Sequence, residues 1–547
     1  MQHKTTNWHQ LVLLAILCLT PGLALAADAA NYGFWSVVPP LFAIVLALVV
    51  RQVLPALFGA IWVGGWIAAD FSFSGILTGL LDAFQVYVLN ALADADHAAV
   101  ILFSFMIGGL VGIISRNGGM LGVVHHISRW ATDARHAASA TATMGLAIFF
   151  DDYANTLVVG NTMRPVTDKF GVSREKLAYI VDSTAAPVSC LAFITTWIGY
   201  ELGLIDDAVK QIPGFTESAY SVFLNSLAYS FYPIFAIVFV YMIALTRRDF
   251  GPMWKAENVP HEKRQTADVS MDPEIEADEQ KPQRAINAVI PLLTLIISVM
   301  VGLWYTGEGD TLQDIIGSAN AFKALMWGSL VAVLVAVILT LSQGLATLGE
   351  TMEAWTVGVR GMLPAMIILV LAWSLSGVTK ELGTASYLVS VLGDQLPLAI
   401  VPALVFVMAA ATAFATGTSW GTMGILMPLV IPLVAAVVIA NGGDVSGSAV
   451  LYSSVACVLA GAVWGDHCSP ISDTTILSSM ASGCDHIEHV RTQLPYALAV
   501  ASVSILIGTI PTAMGLPWWV SMIAGVAVLW AIIRVFGRPP VAATTQS

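Results

Sequence analysis

The sequence predicts an all-α polytopic membrane protein, with about 11 transmembrane helices and two re-entrant hairpins built as an inverted repeat. Three observations carry this. Hydrophobic residues make up 57% of the chain and charged residues only 11%. Apolar stretches close to bilayer length recur along it, and one set of motifs occurs twice. A mean hydropathy of +0.79 excludes an ordinary soluble domain. The net charge of −13 collects in loops and near Glu274 to Glu279, so it points to no polyanionic partner, and nucleic acid is not expected. Cys18, Cys190, Cys457, Cys468 and Cys484 are scattered and read as packing residues.

Residues 1–27 form a signal-like leader or an extra span: the apolar run from Leu11 to Ala26 ends in small residues, with Lys4 ahead of it. A first unit, 36–245, holds apolar stretches at 36–50, 53–69, 98–115, 177–200 and 222–245. A charged linker, 246–284, carries Arg247, Arg248, Lys255, Lys263, Arg264, Lys281 and Arg284, whereas no basic residue lies between Arg51 and Arg116. The positive-inside rule puts the linker in the cytoplasm and the 70–97 loop outside. The second unit, 285–511, has stretches at 285–305, 321–342, 363–379, 448–470 and 494–511, and 512–547 supplies a final helix and a cytoplasmic tail.

Residues 136–163 are apolar on both sides of Asp151 and Asp152, yet basic residues flank both ends, which predicts a re-entrant hairpin with a polar tip. The stretch 398–437, centred on Thr416, Gly417, Thr418 and Ser419, predicts a second hairpin entering from outside. Phe150 and Met163 recur as Phe414 and Met427 at a separation of about 264 residues, as do Gly112 and Gly118 in Gly377 and Gly383. Residues 182–189 resemble 465–472. Five spans and a hairpin start the second unit on the opposite side of the membrane, which makes the repeat inverted, an architecture of secondary transporters with a site at the repeat interface.

The candidate site follows from the cost of charge in lipid, roughly 2.5–3.5 kcal/mol per carboxylate at mid-depth. Asp151, Asp152, Asp182, Asp466 and Asp473 all lie in or beside apolar segments. Pro187 and Pro470 break their helices and free backbone carbonyls. Hard oxygen donors surround them: Asn155 and Thr156 after the first tip, Ser183, Thr184 and Ser189 at the first break, and Ser469, Ser472, Thr474 and Thr475 at the second. Thr416, Thr418 and Ser419 join from the second hairpin. Such oxygens suit Na⁺, with Asp182 and Asp466 as its direct ligands, and His467 a proton shuttle or a structural histidine. Several of these residues also have ordinary uses, as helix caps or interhelical hydrogen bonds. Cys484, His486 and His489 have metal-like spacing but lie in a charged segment with no fourth ligand.

The stretches FFDDYANTLVVGNTMRPVTDK (149–169), DSTAAPVS (182–189) and GDHCSPISDTTILSSMASGCDHIEHVRTQLPYAL (465–498) resemble the signatures of the NhaC-type sodium/proton antiporters, a family of the ion transporter superfamily. That resemblance implies inverted units, re-entrant hairpins, alternating access and a multi-pass protein of the bacterial inner membrane with a cytoplasmic C-terminus. It also implies Na⁺ and H⁺ as partners and no cofactor; a homodimer is a further expectation. Exchange would proceed by Na⁺ and H⁺ competing for buried carboxylates. The alternative is a Na⁺- or H⁺-coupled transporter of a small organic acid or amino acid; Arg164, Arg360 and Lys380 fall at the ends of the expected spans, which favours the cation. An enzyme is not expected, because catalysis leaves an inverted repeat unexplained.

Overall fold

Hydrocarbon offers a backbone no hydrogen-bond partner, so a spanning chain must satisfy its amides internally, and here it does so with helices. The computed structural model describes residues 32–50, 52–259, 282–309, 315, 319–384, 387 and 397–541, and contains no β-strand among them. The leader, residues 260–281 of the linker and the last six residues lie outside the described residues.

The first half comprises α1 (Val38–Val50), α2 (Val53–Ala68), α3 (Gly75–Ala93), α4 (Ala95–Arg116), α5 (Gly119–Ser128), α6 (Ala134–Ala147) and α7 (Asp152–Lys169). It continues with α8 (Arg174–Ser183), α9 (Ala186–Ser189), α10 (Ile198–Val209), α11 (Ala219–Tyr229), α12 (Phe231–Thr246) and α13 (Gly251–Glu257). The second half holds α14 (Ile286–Thr306), α15 (Ala321–Ser342), α16 (Leu348–Glu381), α17 (Val401–Thr416) and α18 (Ser419–Ala440). After them come α19 (Ala449–Cys468), α20 (Asp473–Ser482), α21 (His486–Ala513) and α22 (Trp518–Phe536). Among the described residues, 9 helices are long and apolar enough to cross a bilayer, and α11 with α12 forms a further candidate bent by 47°.

Contacts fix the two ends of the bundle. At the linker end, Arg174 Nη1 donates to the Gly483 carbonyl at 3.1 Å and Arg284 to Gln343 at 3.0 Å. Buried Lys176 lies 2.8 Å from Asp249 and 3.5 Å from Glu257, tying the start of α8 to the first residues of the linker. Breaking such a buried pair strands a charge, at a cost of about 3–5 kcal/mol. At the far end, Lys210 lies 3.1 Å from Asp96, and the Tyr87 hydroxyl donates to Glu381 at 2.7 Å.

Two segments differ from the sequence reading. The expected 70–97 loop is largely helix α3, but it stays at the far end: Gly79 packs on Gly65 near the end of α2, and Tyr87 reaches Glu381 at the end of α16. Asp82, Gln85 and Asn90 interrupt its apolar character, which hid a helix whose Leu77, Phe84 and Leu89 are exposed. The stretch expected at 363–379 is a helix of 34 residues, because Glu350, Glu353 and Arg360 lower the hydropathy of its first half without breaking it. Glycine lets this helix cross α4 closely: a Cβ on Gly358 would lie 2.0 Å from the Gly108 carbonyl oxygen.

The helix pairs α6/α7 and α17/α18 enter the bundle from opposite ends. The base of α7 lies at the linker end, where Arg174 pairs with Asp168 at 3.2 Å. α17 runs alongside α19 in the same direction, Gly461 facing Phe406 and Gly465 facing Ala410, so its start belongs to the far end. Between the tips, α8 stops at Ser183 and α19 at Cys468, each followed by a short irregular stretch and a new helix. Pro187 lies in the first turn of α9, where its missing amide is harmless, and Pro470 falls between α19 and α20.

Candidate functional site

The tip of the first helix pair is built by capping. Asp151 adopts an extended backbone before α7, and its Oδ1 accepts the Ala154 amide at 2.7 Å. Asp152, the first residue of α7, is 1% exposed, and its Oδ1 accepts from the Trp197 indole at 3.0 Å. Asn155, one turn on, donates to the carbonyls of Gly145 at 2.7 Å, Ile148 at 3.2 Å and Thr184 at 2.8 Å, sewing both arms of the hairpin to the first helix break. The Tyr153 hydroxyl crosses to Asp473 Oδ2 at 2.5 Å, joining this tip to the second break.

At the first break, Asp182 is buried at the end of α8. Gln493 Nε2 donates to its Oδ2 at 2.6 Å, and His489 Nε2 lies 3.3 Å and His467 Nε2 3.9 Å from the same oxygen. Gln493 also donates to the His467 carbonyl, so one amide of α21 clamps the two broken helices together. His467 is held at both nitrogens, Nε2 3.0 Å from Ser183 Oγ and Nδ1 2.9 Å from the Tyr232 hydroxyl. Thr184 Oγ1 bonds back to the Ile180 carbonyl, and Ser189 Oγ reaches the Phe149 carbonyl at 3.5 Å.

At the second break, Ser472 Oγ donates to Asp466 Oδ1 and lies 3.0 Å from Thr474 Oγ1, while Thr475 Oγ1 donates to the Asp466 carbonyl at 3.1 Å. Ser469 Oγ donates to the Phe414 carbonyl at 2.7 Å, anchoring the second hairpin tip. Thr418 caps α18 by accepting the Gly421 amide at 3.3 Å, Thr416 bonds back to Thr412 at 2.8 Å, and Ser419 is buried against Asp466.

The structure therefore brings most of the expected residues together, with differences. Asp473 is exposed rather than enclosed, held by Tyr153 and by the Thr474 amide at 2.9 Å. Thr184, Thr416 and Thr418 spend their hydroxyls on their own helices. His489, which shares a metal-like spacing with Cys484 and His486 in a charged segment, is fully buried against Asp182. Trp197, Tyr153 and Gln493 escaped the sequence reading; the spacing of His489 and Gln493, one helical turn apart in an apolar helix, was the available signal.

Several buried oxygens in this region have no hydrogen-bond partner, among them Asp152 Oδ2, Asn155 Oδ1, Thr156 Oγ1, Asp182 Oδ1, Asp466 Oδ2 and Gln493 Oε1. Buried polar atoms are rarely left so, because each costs about 1–3 kcal/mol. Among the described residues, no three His, Cys, Asp or Glu side chains gather as a metal-holding group, so the carboxylates by themselves form no ligand shell. A cavity of about 710 Å³ runs from Arg116 and Glu350 at the linker end, past Arg360, to Asp151 and Tyr153. It gives the tip of the first hairpin a path to that face of the bundle.

Among solved structures, the YdaH transporter of Alcanivorax borkumensis matches 81% of this chain and 90% of its own, with a TM-score of 0.54 at 17% identity, a likeness of fold. MtrF of Neisseria gonorrhoeae matches 84% and 85% with a TM-score of 0.44 at 11% identity. A protein of Haemophilus influenzae, described as uncharacterized, is 34% identical over 487 residues, covering 86% of this chain and 89% of its own. The model of the Na⁺/H⁺ antiporter family matches residues 188–513, from the first helix break through the second. With both breaks, the acidic hairpin and the polytopic helical fold in place, the chain is a membrane transporter and belongs to the Na⁺/H⁺ antiporter family.

Proposed function

We propose that the chain exchanges Na⁺ for H⁺ by letting the two compete for the carboxylates of Asp182 and Asp466, with Asp151, Asp152 and Asp473 completing the shell or relaying protons. The observation that carries this is the set of buried, unpartnered oxygens that includes those of Asp152, Asn155, Thr156, Asp182 and Asp466. A hard cation takes several oxygen ligands, and carboxylates that have surrendered protons supply both the atoms and the charge. Two inverted units, 36–245 and 285–511, with hairpins re-entering from opposite sides, would carry the site between faces; the cavity at Asp151 supports access from the linker side.

The test is Na⁺-driven proton release from proton-loaded liposomes holding the purified protein. Wild type should respond to Na⁺ in a saturable way. Asp182→Asn and Asp466→Asn should each lose the response by about a hundredfold, or about 2.7 kcal/mol of barrier. Normal release from both variants overturns the assignment.

One observation favours a second reading. Arg360 lies inside the long helix α16 rather than at its end, and with Arg116 it lines a cavity large enough for a small organic acid. Uptake of labelled dicarboxylates and amino acids by the same liposomes separates this reading from pure cation exchange.

A further inference from the structure

One ionisable side chain deep in the bundle has no place in the site above. Glu201, in the first turn of α10, is 0% exposed, and neither Oε1 nor Oε2 has a hydrogen-bond partner. A glutamate kept for structure would pair those oxygens, because an unpaired carboxyl in a dry interior is among the costliest groups a helix can carry.

Its position is specific. The Glu201 amide donates to the Trp197 carbonyl at 3.0 Å, so the two side chains share one face of the helix, a turn apart. The Trp197 indole in turn donates to Asp152 at 3.0 Å. In the other direction, a cleft of about 190 Å³ at the far end is lined by Leu202, Asp206, Asp96, Tyr220 and Asn320. Asp206 is about 7.5 Å along the helix from Glu201 at 1.5 Å per residue. Asp206 is held by Lys210 at 2.6 Å, whereas the Oδ2 of neighbouring Asp207 is buried and unpartnered. Helix α10 thus carries carboxyls from a polar cleft at one end of the bundle to the acidic hairpin tip.

The other ionisable groups nearby are few. The loop before α10 brings Cys190 within electrostatic reach of Glu201. Asp96 and His97 come from α4, Tyr220 and Tyr229 from α11, and Lys380 and Glu381 from the far end of α16, while α18 contains no ionisable residue. Such surroundings offer Na⁺ too few oxygens for a shell but ask nothing more of a proton than one lone pair.

We propose that Glu201 is a proton-carrying carboxyl on the helix that joins the far-end cleft to the acidic hairpin tip, separate from the aspartates that hold the cation. The proposal rests on the exchange reading, and its test is built to fail separately. Protons released and Na⁺ taken up are counted together in liposomes. Glu201→Gln should lower the ratio of protons to Na⁺ at least threefold, and Glu201→Asp should restore it; an unchanged ratio in Glu201→Gln overturns the proposal. If Glu201→Gln fails to fold, wild type decides: a hydrophobic carbodiimide, which attacks protonated carboxyls in membranes, should label Glu201, faster at low pH than at high. No adduct at Glu201 at a pH where transport runs would sink the idea. Wild-type liposomes that release no protons with Na⁺ defeat the exchange reading instead, and the adduct still decides Glu201.

Discussion

The two hairpin tips share a construction and differ in chemistry. Each closes with a residue that caps the returning helix, Asp151 for α7 at 2.7 Å and Thr418 for α18 at 3.3 Å. Each is tied to the helix break of its own half, through Asn155 to Thr184 in the first and through Ser469 to Phe414 in the second. The second tip adds only a hydroxyl: Gly417, at φ 71°, makes the turn, Thr418 the cap, and Ser419 lies buried against Asp466. The first tip adds Asp152, whose carboxylate caps nothing and keeps one buried oxygen unpartnered. Folding explains one polar residue per tip; the surplus carboxylate on one of them is the part that folding leaves unexplained.

The sharpest way to break this comparison is to neutralise the surplus and the cap separately. Asp152→Asn should cut Na⁺-driven proton release by about a hundredfold, near 2.7 kcal/mol, with the protein still folded. Thr418→Ala should cost about 1 kcal/mol of stability, as cap removal does, and leave transport within a few-fold. Asp151→Asn refines the contrast, because Asn caps as well as Asp. Unchanged melting with transport down about tenfold would give Asp151 a role beyond the cap, whereas unchanged transport would leave it a cap alone. Equal transport losses in Asp152→Asn and Thr418→Ala would make both tips structural.

The ties to the breaks should show the next largest effect. Asn155→Ala removes one side chain that serves three buried carbonyls, two of them across the hairpin and one at the break, and should cost about 2–3 kcal/mol. Ser469→Ala removes two bonds, the one it donates to the Phe414 carbonyl and the one it accepts from the Ile471 amide, and should cost about 1–2 kcal/mol. Denaturation in detergent measures both, and the reverse order would show the second tip to be the better anchored.

What the sequence disclosed follows from the same distinction. A carboxylate in an apolar run is visible because nothing else in the run resembles it, so Asp151, Asp152, Asp182 and Asp466 stood out, and the prolines marked the breaks. Gln493 and His489 did not, since a single amide or imidazole is cheap in a membrane helix and carries no mark of a site until the fold turns it toward Asp182. Glu201 was hidden for another reason. It adjoins the apolar stretch 177–200, and Asp206, Asp207 and Lys210 follow it, so it falls just outside that stretch, while in the structure the chain turns helical again at Ile198 and buries it. Helix α3 and the first half of α16 were missed because hydropathy averages over faces, and a helix with polar residues on one side scores as a loop.

The smallest expected difference lies at the hairpin bases. Helix α6 starts at the exposed cap Asp133, whose Oδ1 accepts the amides of His136 at 2.9 Å and Arg135 at 2.7 Å. The bond from His136 is the main cause that holds this carboxyl below its ordinary value. A carboxyl depressed by folding stabilises at pH above its unfolded value, about 3.9, and that contribution disappears as pH falls through the lower folded value. Helix α17 starts instead with Pro402 and no side-chain cap, so it has nothing to titrate. Acid should therefore lower the protection against hydrogen exchange, relative to the intrinsic rate at each pH, at the first amides of α6, residues 135–137, while protection at the start of α17 stays level. Asp133→Asn, which caps without ionising, should flatten the α6 profile. An α6 profile that matches that of α17 in the wild-type protein would show that the cap contributes through geometry alone and that charge at the base of the first hairpin does no work.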